Sequence, residues 1–176
     1  MLHHTFFNNL LLTRTTYVDN ITKYVIFFLL GDYMYLENIS SILGGPHLLG
    51  QTIRSTNDLI EIGRKGVQKK CFLLLAKYMN TSPNQLAKLL PITERTLQRR
   101  NPTDALNRET SECILQVAAV IAKGAEVFDD KDRFLAWLNQ PNTTFAGQIP
   151  VSLLDSRFGA DIVLNELGRI EHGVFS

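Results

Sequence analysis

The stretch "SPNQLAKLLPITERTLQRRNP", from Ser82 to Pro102, carries more local structural information than any other part of the 176-residue chain. Ser82 sits where an N-cap belongs, Pro83 takes the first helical position, and Gln85 follows the cap by three residues. That is a capping box with a permitted proline, so a helix is predicted to start there. Pro91 disfavours helical geometry in the residue before it and limits this helix to about Leu90. Thr93 can then cap a second short helix, "ERTLQRR", which Asn101–Pro102 closes. Two short helices joined by a brief turn make a helix-turn-helix. Leu86, Ala87 and Leu90 share one face of the first helix, and Ala87 leaves room for the second to approach. Thr96 and Leu97 fall on the inward side of the second, so Thr93, Glu94, Arg95, Gln98 and Arg99 face outward. Pro91 stands where many such turns hold a glycine with positive φ. Proline cannot adopt that geometry, so this turn must be built another way.

The chain's net charge is only +1, yet its charges are partitioned. From Arg64 to Arg108 ten Lys and Arg face two carboxylates, a net of +8, whereas Glu109 onward carries a net of −5. A basic middle followed by an acidic C-terminal part points to two surfaces for two kinds of partner. Arg and Gln can read guanine and adenine edges, while hydroxyls, Arg and Lys hold phosphates. The expected DNA-binding residues are Lys88, Thr93, Glu94, Arg95, Thr96, Gln98, Arg99 and Arg100. The competing reading, a solvated basic helix within a helical bundle, explains the charge but leaves the capping box and turn without a purpose.

The rest of the chain reads as all-α, because beyond residue 50 the spacing is helical and nowhere strictly alternating. Short helices are predicted over "TNDLIEIGRKG", capped by Ser55 or Thr56 with Leu59 and Ile62 inward, and over "VQKKCFLLLAKYMN". A long helix, about Arg108 to Phe128, carries Ile114, Val117, Ala118, Ile121, Ala125 and Phe128 as a stripe. Asp129 is placed as the cap of a following helix that buries Phe134, Trp137 and Leu138. Pro150 opens a short turn or helix, and the last helix begins near Gly159 with Val163, Leu167, Ile170 and Val174 in one stripe. Cys71 and Cys113 read as buried free thiols of a reducing, cytoplasmic protein. No metal or cofactor is expected.

The first 33 residues are rich in Asn, Thr, Phe and Tyr and hold the apolar run "YVIFFLL". That run is too short to span a membrane, and Asp19 and the missing small-residue cleavage site argue against a signal peptide. They are read as an extension upstream of a natural start at Met34, with residues 34–54 a flexible leader. Residues 55–107 then form the helix-turn-helix domain and 108–176 a second helical domain.

Residues 55–176 resemble the Xre/MbcA/ParS-type antitoxins that pair with RES-domain toxins. The anchors are "ERTLQRR", then Phe128, Trp137–Leu138, Pro141–Asn142, Pro150, Leu153, Leu154 and Asp155, and the closing "LGRIEHGVFS" from Leu167 to Ser176. Two positions depart from the family pattern: Ala146 precedes Gly147 where a Gly-Gly pair is common, and Ser156 follows Asp155 where Thr is common. The resemblance implies a homodimer that represses its own operon at a palindromic operator. It also implies a C-terminal domain that binds a RES toxin, an enzyme attacking NAD⁺. By position the toxin-binding residues would be Arg169, His172, Gly173, Val174, Phe175 and Ser176, with the tail blocking the toxin's cleft. Gly173 would end the helix and free Phe175 to bury its ring in a concave site, where the terminal carboxylate could meet cationic groups. The stripe shared with Leu167 and Ile170 leaves a second reading open, in which part of the tail completes the protein's own core. His172 with Asp155 and Ser156 lacks any nucleophile motif, so an enzyme is not expected. A stand-alone dimeric transcriptional regulator is the alternative.

Overall fold

The computed structural model describes residues 34–173, so the expectations for residues 1–33 and for Val174, Phe175 and Ser176 lie outside the described residues. The described part is helical: α1 spans 34–42, α2 Pro46–Leu49, α3 Thr56–Lys65, α4 Lys69–Tyr78, α5 Pro83–Ala87 and α6 Glu94–Arg99. Then come α7 Arg108–Phe128, α8 Lys131–Leu138, two 3₁₀ turns at Thr143–Phe145 and Pro150–Asp155, and α9 Arg157–Glu171. Among the described residues the sole trace of sheet is one isolated bridge between Gln68 and Ala105. The predicted all-α class is observed.

The core is organised by α7. Its predicted stripe is too narrow: Ile114, Val117, Ala118 and Ile121 are buried as expected, but so are Leu115, Val120, Ala122 and Gly124 on other faces. A helix apolar on most sides belongs in the middle of a bundle, and α3 packs on one part of α7 while α9 packs on another. Ala125 and Phe128 are only half-buried. Ring packing finishes the lower end: Phe128 lies 5.7 Å from Phe134 and 5.6 Å from Trp137, and Trp137 meets Phe145 edge-on at 6.1 Å. Phe134 rests directly on Gly124, where a Cβ would collide with its ring.

Several local expectations are corrected. Residues 34–54 are no flexible leader: they contain α1 and α2, and Ile39, Ile42, Leu43, Leu49 and Ile53 are buried in the common core. Their apolar residues fall at helical spacing, only Glu37 and Arg54 are charged, and α2 packs on α4. Tyr35, on α1, has its phenol pushed up to about 12 by burial and then by the nearby Glu126 carboxylate of α7. Asp129 is the left-handed C-cap of α7, with φ of 50°, and Asp130 caps α8 by accepting from the amides of Asp132 and Arg133 at 2.8 and 3.0 Å. Trp137 is half-buried where full burial was expected, and α9 starts at Arg157, capped by Ser156, two residues before Gly159.

Candidate nucleic-acid interface and partner-binding helix

The predicted capping box is in place. The Ser82 hydroxyl accepts from the Gln85 amide at 3.2 Å, and the Gln85 side chain accepts from the Ser82 amide at 3.1 Å. Helix α5 stops at Ala87, three residues short of the predicted end, and continues as tighter i to i+3 turns. Leu89 and Leu90 donate to the carbonyls of Leu86 and Ala87 at 3.0 and 3.1 Å. No residue from Ser82 to Arg100 has positive φ. The turn therefore reaches α6 through 3₁₀ geometry and Pro91, the alternative construction that the missing glycine required.

Thr93 caps α6, accepting from the Thr96 amide at 3.2 Å. Of α6 only Leu97 is buried. Thr96, expected inward, is exposed, because its hydroxyl turns back to meet that of Thr93 at 2.8 Å. Lys88, Thr93, Glu94, Arg95, Gln98, Arg99 and Arg100 are exposed as well. The helix is anchored at both ends. Upstream, Thr110 and Cys113 of α7 donate to the carbonyls of Pro91 and Leu89, at 3.4 and 3.3 Å. Downstream, the amides of Lys69 and Lys70 donate to the carbonyls of Asp104 and Pro102, and the Lys69 ammonium reaches the Arg100 carbonyl at 2.7 Å. Burial, then the carboxylates of Asp155 and Glu109, push the Cys113 thiol up to about 11, so it serves as a neutral donor here and not as a reactive thiolate. Both cysteines are free; Cys71 is buried as expected, whereas Cys113 is only half-buried. The sequence reading did not foresee the proximity of Lys69 to the exit of α6, which depends on a contact across 31 positions.

Also packed on α7, α9 sets Val163 and Leu167 fully inward, whereas Ile170 is half-buried. Arg169 and His172 are exposed on the outer face. The Arg169 guanidinium lies 3.3 Å from the largely buried Glu166 carboxylate, which also accepts from the Thr144 hydroxyl at 3.4 Å. Lys123 of α7 reaches Glu171 at 2.8 Å and pins the last turn of α9 to the bundle. His172 caps the helix, and Gly173 follows with φ of 68°, so the helix ends there as predicted. The sequence reading passed over Phe158 and Ile162, which are 82% and 52% exposed on the outer face of α9. Their signal is legible in retrospect: an apolar i, i+4 pair out of phase with Val163 and Leu167.

A bundle with a capped, turn-linked helix pair presenting a polar helix, followed by a smaller helical unit, defines a helix-turn-helix class of protein. Residues 58–119 match the antitoxin Xre-like helix-turn-helix domain, and residues 123–173 match the antitoxin Xre/MbcA/ParS C-terminal toxin-binding domain. The chain thus carries an Xre-like helix-turn-helix domain followed by an Xre/MbcA/ParS C-terminal toxin-binding domain, both of the antitoxin type. It is 36% identical over 87 residues to an Antitoxin Xre of Yersinia enterocolitica, covering 48% of this chain and 59% of that one. It is 35% identical over 69 residues to an Antitoxin Xre of Photorhabdus laumondii, covering 39% of this chain and 47% of that one. The chain thus spans about half the length of these relatives. The two domain matches meet inside α7. Among the described residues no helix is long and apolar enough to cross a membrane.

Proposed function

We propose that the protein is the antitoxin of a type II toxin-antitoxin system, which blocks a RES-domain, NAD-degrading toxin and represses its own operon as a dimer on a palindromic operator. Residues 55–107 supply DNA binding and 108–176 toxin binding, with α7 as the spine common to both. The observation that carries this reading is the pairing, in one chain, of an α6 whose polar side chains are all exposed with a domain of the toxin-binding type. In this reading Arg95 and Gln98 contact base edges, Thr93, Glu94, Thr96 and Arg99 complete the major-groove face, and Lys88 and Arg100 hold phosphates. Arg169, His172 and the tail Gly173–Ser176 meet the toxin, with Gly173 in the left-handed region just past the end of α9 and Phe175 entering the toxin's cleft.

The test is co-purification with the RES-domain protein encoded beside it, followed by an NAD⁺ protection assay with the full chain and with a chain lacking Gly173–Ser176. Capture with protection, lost on truncation, is the expected result. Capture with undiminished protection overturns the tail as the blocking element, and no capture overturns the toxin assignment. Operator affinity should fall by about 10³ between roughly 50 and 200 mM salt for six phosphate contacts per dimer. A flat salt response rules out the DNA-binding role.

A further inference from the structure

The outer face of α9 is not uniformly polar. Phe158 and Ile162 stand one turn apart with most or half of their surface in solvent, and Asn165, Arg169 and His172 continue the same stripe at spacings of three and four towards Gly173. The protein's own core takes the opposite side of the helix, through Ala160, Val163 and Leu167. Gly159, which faces the core, packs against the Leu153 carbonyl too closely for any Cβ, so the start of α9 cannot roll to bury Phe158. An exposed apolar pair on a locked helix marks a contact surface.

We propose that Phe158 and Ile162 are the apolar anchor with which α9 docks its toxin, so that the docking surface runs the length of the outer stripe and is not confined to the tail. This rests on the toxin-binding reading above. The occupant is a folded protein offering an apolar socket beside polar groups that meet Asn165, Arg169 and His172. A second copy of this chain fits poorly. An antiparallel α9 pair centred on the stripe sets Phe158 opposite His172 and Ile162 next to Arg169, apolar against polar or charged groups. A parallel pair brings Arg169 against Arg169. A pair centred on Phe158 and Ile162 alone overlaps for only two turns. Two such side chains offer roughly 300 Å², well below the about 800 Å² per partner of a stable interface. A heterologous partner can extend beyond the pair along the whole stripe to His172, and central aromatic anchors of this kind dominate such interfaces.

The experiment compares the full-length protein with Phe158→Asp, Ile162→Asp and Phe158→Leu, titrating each against the co-purified RES-domain toxin by calorimetry. Sedimentation velocity and thermal melting are run on each antitoxin alone. Because both side chains are exposed, the melts should coincide. Phe158→Asp is expected to weaken the complex at least about 30-fold, Ile162→Asp less, and Phe158→Leu to recover most of the affinity. Toxin affinity unchanged in both Asp variants overturns the proposal while leaving the toxin-binding reading intact. So does an Asp variant that dissociates a wild-type dimer without losing toxin, since the face then serves self-association. A wild-type chain that binds no toxin overturns the reading and the proposal together.

Discussion

Two surfaces built around α7 rest on different physics. Around α5 and α6 the exposed side chains are mostly polar, with Lys88, Arg95, Arg99 and Arg100 against the carboxylate of Glu94, and the one large apolar residue of α6, Leu97, is buried. Around α9 the exposed face carries Phe158 and Ile162 among polar neighbours, in a part of the chain whose net charge is negative. The contrast follows from the partners each surface suits. A phosphate backbone is met by mobile cations on a helix of exact orientation, and the affinity is largely counterion release. A protein cleft is met by a few desolvated anchors on a rigid helix. The orientation problem is accordingly solved differently: α6 is held by caps and backbone hydrogen bonds at both ends, and α9 by buried side chains and the Lys123–Glu171 ion pair.

The largest expected effect tests whether the two surfaces are energetically separate. Phe134→Ala removes the ring that rests on Gly124 and should cost about 3–5 kcal/mol. If α7 is a common spine, a single cooperative urea transition will shift and take operator binding with it. Two transitions, with only one displaced, would mean that the halves fold independently. Next, Arg95→Ala or Gln98→Ala should remove about 1–3 kcal/mol of discrimination between operator and scrambled duplex, while Lys88→Ala weakens binding to both alike. Toxin affinity should be untouched by any of the three, and a change there would break the separation. Ser82→Ala deletes the α5 cap and should lower stability by about 1 kcal/mol, read as a shift in the urea midpoint with the slope unchanged.

The smallest effect concerns acid. Amide donation from Arg54, then the Ser55 hydroxyl, holds the Asp58 carboxyl below its ordinary value of 3.8. Its contribution to the α3 capping box is complete at neutral pH, begins to fall as pH drops through 3.8, and is lost below the folded value. Asp58→Asn should therefore show less loss of stability between pH 5 and pH 3 than the parent, measured by urea titration at each pH. Equal losses would show that the carboxylate contributes nothing as an ion.

Much of the helix-turn-helix was legible because its determinants are local. A capping box, a proline at the first helical position and a second threonine cap each act within four residues, so Ser82, Pro83, Gln85 and Thr93 announce their roles without a tertiary context. The exposed set on α6 followed from the same spacing, and Thr96 was misplaced because a short side chain near a cap can turn to its neighbour's hydroxyl instead of the core. The proposed partner-binding face was half legible: Arg169 and His172, expected from the resemblance, lie at the exposed end of α9, whereas Phe158 and Ile162 were not singled out.

What the sequence by itself determined, then, is the all-α class, the two short capped helices, the partition of charge and the end of the last helix at Gly173, all legible from residue types and near-neighbour spacing. Only the tertiary structure decided that residues 34–54 belong to the core, that α7 is buried on several faces, and that α9 turns Val163 inward and Phe158 out. Hydrophobic burial has no direction of its own. Which apolar residue meets water depends on elements distant in the chain, here the Leu153 carbonyl that locks Gly159 and the α7 surface on which α9 lies.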